Sequence, residues 1–159
     1  MYGHGHLRTL TDRGGMTAPP RTALQPGTVL GSLTVRLTRE QLVRYAGAAG
    51  DFNPIHYSDH FATALGLPGV IAHGMLTMGT ALRVVTDWVG DPARITACSA
   101  RFTRPVVVPD DAEGAEVSFT ATVVAADGPR VSVAIEAVCD GTKVLAATRA
   151  EVDLGLAEE

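Results

Sequence analysis

The chain has 159 residues, about the length of one domain, so a single core is expected. Hydrophobic residues make up 46% and charged residues 19%, a balance that argues against wholesale disorder. The formal net charge of −4 disfavours nucleic acid or an anionic membrane as the main partner. With only 5% aromatic residues, the core has to be built from Val, Ala, Leu and Ile. A partner subunit covering apolar surface would help a core of that kind. No run reaches the roughly 18 apolar residues of a membrane-spanning helix and no signal peptide opens the chain, so a cytoplasmic location is the default. Cys98 and Cys139 are too far apart for a CxxC site and too few for a disulfide framework, and both read as small buried residues.

In chain order, residues 1–23 are rich in Gly, Arg, Thr and Pro without periodicity and read as a disordered leader. His4 and His6 within it read as solvated rather than as metal ligands. Residues 24–159 then form the folded domain. Val29 to Leu37 predicts a strand. Thr38 reads as a helix N-cap, with Gln41 completing a capping box. The helix continues through Leu42, Val43, Tyr45 and Ala46 and stops near Gly47 or Gly50. Asp51 to His60 is a polar loop punctuated by Pro54, followed by a short helix over 58–65.

Gly74 to Trp88 is the most helix-like stretch, with Met75, Met78, Leu82, Val85 and Val89 at three- and four-residue spacing. So apolar a helix is expected to be buried. The C-terminal half switches to period two. Ala97 to Val107, Glu116 to Ala126, Arg130 to Cys139 and Lys143 to Val152 predict four strands in an antiparallel meander, with Asp127-Gly128 and Asp140-Gly141 as hairpin signals. The layout is α+β, an antiparallel sheet packed round one central helix, without the Gly-rich motifs of nucleotide folds.

The densest chemistry lies in Gly50-Asp51-Phe52-Asn53-Pro54-Ile55-His56. A carboxylate and an imidazole five residues apart, joined by a proline-stiffened link, suit the hydration of an activated double bond. Histidine exchanges protons near neutral pH, and a carboxylate beside it can orient water. Spacing alone favours the blander reading, in which Asp51 and Asn53 form a turn and His56 is a half-buried polar residue. A second cluster, Ile71-Ala72-His73-Gly74-Met75, enters the buried helix. Unpaired N–H groups at a helix start can stabilise charge on a thioester carbonyl, and Gly74 leaves room for the acyl group. The alternative is a helix start packed tightly on a strand. His60 follows His56 by four residues, but Pro54 argues against the continuous helix that a metal pair there would need.

The Gly50–His56 segment resembles the signature of the MaoC-like, or hydratase 2, branch of the hot-dog superfamily. Ala72-His73-Gly74-Met75-Leu76 and Arg101-Phe102-Thr103-Arg104-Pro105-Val106 match it in kind, order and approximate separation. The likeness runs from about Pro26 to Leu154. Tyr45-Ala46-Gly47, Ile71 to Gly79, Trp88-Val89-Gly90-Asp91-Pro92 and Asp110 to Ala115 are similar to the catalytic B subunit of actinobacterial (3R)-hydroxyacyl-ACP dehydratases. The resemblance implies a hot-dog fold and a hydro-lyase of fatty-acid or related lipid synthesis, acting on an acyl-ACP or acyl-CoA. It implies Asp51 and His56 as the catalytic pair and the Gly74 amide on the thioester carbonyl, with Asn53 and His73 supporting the site. No metal or other cofactor is implied. A second hot-dog subunit is expected, with a homodimer as the alternative. Arg83, Arg94, Arg101 and Arg104 are candidates for a local positive patch that docks the carrier. Rival readings are a stand-alone (R)-specific enoyl-CoA hydratase, a hot-dog thioesterase and a non-catalytic subunit.

Overall fold

The computed structural model describes residues 24–156; the 1–23 leader, with His4 and His6, lies outside the described residues. Strand β1 (Val29–Leu37) leads into α1 (Arg39–Ala49) through the capping box expected at Thr38 and Gln41. The Thr38 side chain accepts from the Gln41 N–H, and the Gln41 side chain accepts from the Thr38 N–H. The helix ends on Gly50, whose φ of 69° is the left-handed conformation glycine adopts without strain. A 3-10 turn at Pro54–His56 and α2 (Asp59–Ala64) follow, then the long helix α3 (Gly74–Val89).

The remaining chain is mostly strand: β2 (Ile95–Phe102), β3 (Ala115–Asp127), β4 (Arg130–Cys139), the two-residue β5 (Thr142–Lys143) and β6 (Leu145–Asp153). All pair antiparallel, in the order β1-β3-β4-β6-β2, with β5 against β4. The expected meander therefore holds only for β3, β4 and β6. Strand β2 crosses to the far edge and pairs with β6. Its alternation suited a strand, but periodicity carries no information about which neighbour a strand chooses. Asp140 and Gly141 form the predicted tight turn, both with positive φ (48° and 70°), so that Cys139 faces Thr142.

The inward face of the sheet is the one the period-two pattern marked. Val117, Phe119, Ala121 and Val123 on β3 and Val131, Val133, Ile135 and Ala137 on β4 are all buried. Helix α3 lies against β1, β3, β4, β6 and β2. Its buried face keeps Val85 and Val89 of the expected stripe but not the methionines. Thr77, Thr80, Ala81, Val84, Val85 and Val89 turn inward, while Met75 is 58% exposed. The two threonines tolerate burial because their hydroxyls donate to carbonyls one turn back, Thr77 to His73 and Thr80 to Leu76. Small residues let the helix sit close to the sheet, whereas methionines there would hold it off.

Two further expectations fail. Cys98 is exposed, because β2 is an edge strand with both faces largely open; Cys139 is buried as expected. Arg94 is buried, its guanidinium donating to the Leu154 carbonyl at 2.9 Å, so it braces the C-terminal end of the sheet rather than a docking surface.

Arg39, the first residue of α1, fastens α1 to α2 and to the chain after β2. Its Nε donates to the Val108 carbonyl at 2.6 Å, and Nη2 donates to both Asp59 carboxylate oxygens at 2.9 and 3.1 Å. Asp59 Oδ1 also accepts from the Val70 N–H at 3.1 Å. The Arg39 hydrogen bond, more than any other contact, holds the Asp59 carboxyl below the usual carboxylate range. A group depressed in this way stabilises the fold above its unfolded pKa, and the contribution is lost as pH falls through the folded value. Asp59→Asn is therefore expected to lower the thermal midpoint at pH 7, with the deficit shrinking below about pH 4. Melting both proteins across that range checks it; a deficit independent of pH would show that the charge is not what matters.

Candidate active site

The two chemical clusters of the sequence meet through one short extended segment, Val70–His73. On one side the Ile71 N–H donates to the Ile55 carbonyl at 3.1 Å. On the other, Val108 N–H donates to the Val70 carbonyl and Ala72 N–H to the Val106 carbonyl, at 2.9 and 2.8 Å. The segment is thus a strap between the Asp51–His56 loop and the chain after β2.

Local chemistry sets the loop. Asn53 N–H donates to Asp51 Oδ1 at 3.3 Å, and the Asn53 side chain accepts from the Ile55 N–H, capping the 3-10 turn. One carboxylate oxygen of Asp51 is thereby engaged and the other, Oδ2, faces His56. The Ile71 carbonyl accepts a hydrogen bond from His56 Nδ1 at 2.8 Å, so in the neutral ring the lone pair is on Nε2. Nε2 lies 4.0 Å from Asp51 Oδ2. That is too long for a direct hydrogen bond and short enough for one water oxygen to reach both. His56 is buried while the Asp51 side chain is half exposed, so the pair stands at a boundary between core and solvent.

His73, buried immediately before α3, presents Nε2 to the Asp51 carbonyl at 3.2 Å and stacks on His56 with centroids 3.8 Å apart and planes 23° apart. Burial holds the His73 ring below the ordinary histidine range; the bond to the Asp51 carbonyl opposes this in part, and the adjacent His56 adds to it. Gly74 is the first residue of α3, so its N–H has no intrahelical acceptor. A β-carbon on Gly74 would lie 3.0 Å from the Phe102 ring, so a larger residue there would have to push the ring aside.

Asp51, His56, Gly74, Phe102 and Arg104 all line one cavity of about 490 Å³, whose wall is mostly apolar. A carboxylate, an imidazole, a free amide and a cation share a space that suits an acyl group. Asp51, His56 and His73 also offer ligating atoms within 4.8 Å of one another. The two imidazole planes are stacked, 23° apart. His56 Nδ1 and His73 Nε2 are moreover engaged by carbonyls. His60 is exposed on α2 with its ring against Phe61, apart from the turn that carries His56.

The four arginines do not form one patch. Arg104 lines the cavity and Arg101 is exposed on β2. Arg83 lines a separate cavity of about 410 Å³ with Arg36 and Arg44, and Arg94 is buried. Sequence reasoning missed the Ile71 carbonyl that sets the His56 tautomer, the Phe102 ring on Gly74, and Tyr45, whose ring packs on His73 at 4.8 Å. Phe102 and Tyr45 stood within the resembling motifs, but only as parts of a strand and a helix face.

A family model described as "MaoC like domain" matches residues 22–138. A curated relative, 3-hydroxyacyl-thioester dehydratase X of Mycobacterium tuberculosis, is 40% identical over 75 residues, 47% of this chain and 26% of that protein. A solved structure titled "MaoC-like dehydratase" superposes with a TM-score of 0.81 at 36% identity, covering 87% of this chain and 43% of that one. The ChsH1-ChsH2 complex from Mycobacterium tuberculosis shares the fold, with a TM-score of 0.72 at 23% identity over 81% of this chain and 97% of the matched one. The match thus spans about a quarter of the curated relative's length.

His73 should titrate below an ordinary histidine. Proton NMR of its ring C–H protons against pH gives the midpoint directly, and a value at or above about 6.5 would contradict the burial argument.

Proposed function

This chain belongs to the MaoC-like domain family, and on that premise we propose that it adds or removes water across the C2–C3 bond of an acyl thioester. The observation that carries this reading is the convergence of Asp51 Oδ2 and His56 Nε2, 4.0 Å apart, on an apolar cavity that also contains Gly74. In the dehydration direction the substrate is a (3R)-3-hydroxyacyl thioester. His56 Nε2 takes the C2 proton, and the electron pair moves onto the thioester carbonyl, where the Gly74 N–H stabilises the enolate-like charge. The pair then returns to form the C2–C3 double bond as the C3–O bond breaks. The departing oxygen takes the proton back from the Asp51–His56 pair and leaves as water. Hydration is the reverse, with the water held between the two side chains.

The acyl group would arrive on an ACP or on coenzyme A, both of which present a phosphopantetheine arm. Arg104 is the cation on the cavity wall, exposed and without a carboxylate partner among the described residues, so it is the residue proposed to meet the arm's phosphate. The proposed assembly is a dimer of hot-dog subunits, with a second, different chain holding the acyl tail. In support, β2 is an uncovered edge strand, and Phe52, Phe61, Leu65 and Met75 are each more than half exposed. The ChsH1-ChsH2 structure is a complex of two chains. A homodimer is the alternative, and co-purification from the native host separates the two. No helix among the described residues is long and apolar enough to cross a membrane.

Hydration of crotonyl and longer enoyl thioesters, followed by loss of enoyl absorbance with the chain alone and with its partner, tests the reading. Asp51→Asn and His56→Ala are each expected to lower kcat by about a hundredfold to ten-thousandfold while the protein stays folded; His56→Ala should also lower the thermal midpoint, because the Ile71 carbonyl loses its donor. A folded Asp51→Asn variant with near wild-type turnover refutes the assignment. Arg104→Glu should raise KM about tenfold for CoA or ACP thioesters and leave N-acetylcysteamine thioesters, which lack the phosphate, unaffected. Equal effects on both substrate classes would remove Arg104 from phosphate recognition.

A further inference from the structure

His73 is a buried titratable side chain at the site that the addition of water does not consume. Because a carbonyl only accepts, the bond to Asp51 O requires a proton on His73 Nε2. Nδ1 is then a bare lone pair in the neutral ring, buried and without a partner among the described residues. One face of the same ring lies on His56, and Tyr45 of α1 packs against it with the planes tilted by 58°.

We propose that His73 is a positioning residue with two separable duties, an inference that rests on Asp51 and His56 being the reacting pair. Its N–H fixes the backbone of Asp51, and its uncharged face fixes the plane of His56 while leaving that ring free to accept a proton. Tyr45 holds the His73 ring in place. Two imidazolium rings at 3.8 Å would repel strongly, so a proton on His73 opposes the one His56 must take from substrate or water. The groups facing His73 are Tyr45 from α1, the Asp51 carbonyl and carboxylate from the loop, His56 from the 3-10 turn, and Thr77 within α3. The Asp51 carbonyl and, as the anionic group among them, the Asp51 carboxylate favour a charged ring; burial and His56 oppose it.

The arrangement is read first without reference to activity. Nitrogen-15 NMR of the imidazoles in the full-length protein should find His73 neutral with the proton on Nε2 at pH 7, and His56 with a proton on Nδ1. A cationic His73, or its proton on Nδ1, overturns the proposal. The duties are then separated by substitution. His73→Gln keeps an N–H near the Nε2 position and removes the flat face; His73→Phe keeps the face and removes the donor; His73→Ala removes both. The first two should lower kcat about tenfold and the third about a hundredfold, with KM within about twofold. In His73→Ala the acid limb of the kcat profile should move to higher pH, because water replaces the ring and solvates the His56 cation. Wild-type kcat and pH profile in His73→Ala overturn the proposal. So do Gln and Phe variants as impaired as the Ala variant, since the duties would then not be separable. A wild-type protein with the expected tautomers and no hydratase activity on any carrier overturns the catalytic duties together with the functional reading, and leaves only the ring arrangement.

Discussion

The strap Val70–His73 is the constraint on which the site depends. Three consecutive residues, Val70, Ile71 and Ala72, bond to both sides, reaching Ile55 and His56 on one flank and Val106 and Val108 on the other, before the chain turns into α3. Without the strap the Asp51–His56 loop would have only its internal turn bonds, which set local shape but not position. With it, the loop, the start of α3 and the wall after β2 become one unit. Arg39 and Asp59 reinforce the same junction, because Val70 and Val108 are both among their hydrogen-bond partners. Hydrogen bonds of this kind are individually modest, but breaking one here strands a buried donor or acceptor, which costs more than the bond contributes.

Helix α3 supplies the second constraint. Its sheet-facing side is made of Thr, Ala and Val, and its methionines lie outside the packed face or only partly within it. Close approach of helix to sheet gives a core of small side chains, which accords with a composition so poor in aromatic residues. Phe119 is the large ring at the centre of that core, and Phe102 is spent at the cavity wall instead. The consequence is apolar surface left outside: an edge strand open on both faces and several large side chains around the cavity mouth. That surface is the physical ground for expecting a companion subunit.

Charge is distributed in the same economical way. The chain is acidic overall, yet among the described residues the cavity is lined by a single carboxylate, one imidazole with a second stacked on it, a helix-start amide and one arginine. Each ring nitrogen that could compete for the same proton is bound to a carbonyl or sealed from solvent. The 4.0 Å gap between Asp51 Oδ2 and His56 Nε2 is the one that the proposed water would bridge.

The sequence by itself determined the local structure. The Thr38 capping box, the Asp140-Gly141 turn, the buried alternation of β3 and β4 and the turn of the Asp51–His56 loop were all legible, because each depends on residues a few positions apart. The family likeness extended that reading to the fold and to Gly74. Tertiary structure alone decided what long-range backbone contacts decide. It placed β2 beside β6, turned the threonine face of α3 inward, buried Arg94 and exposed Cys98. It also set the His56 tautomer through the Ile71 carbonyl, fifteen residues away, and pressed Phe102 against Gly74. A backbone carbonyl is the same in every residue, so no side-chain pattern announces which one a histidine will find.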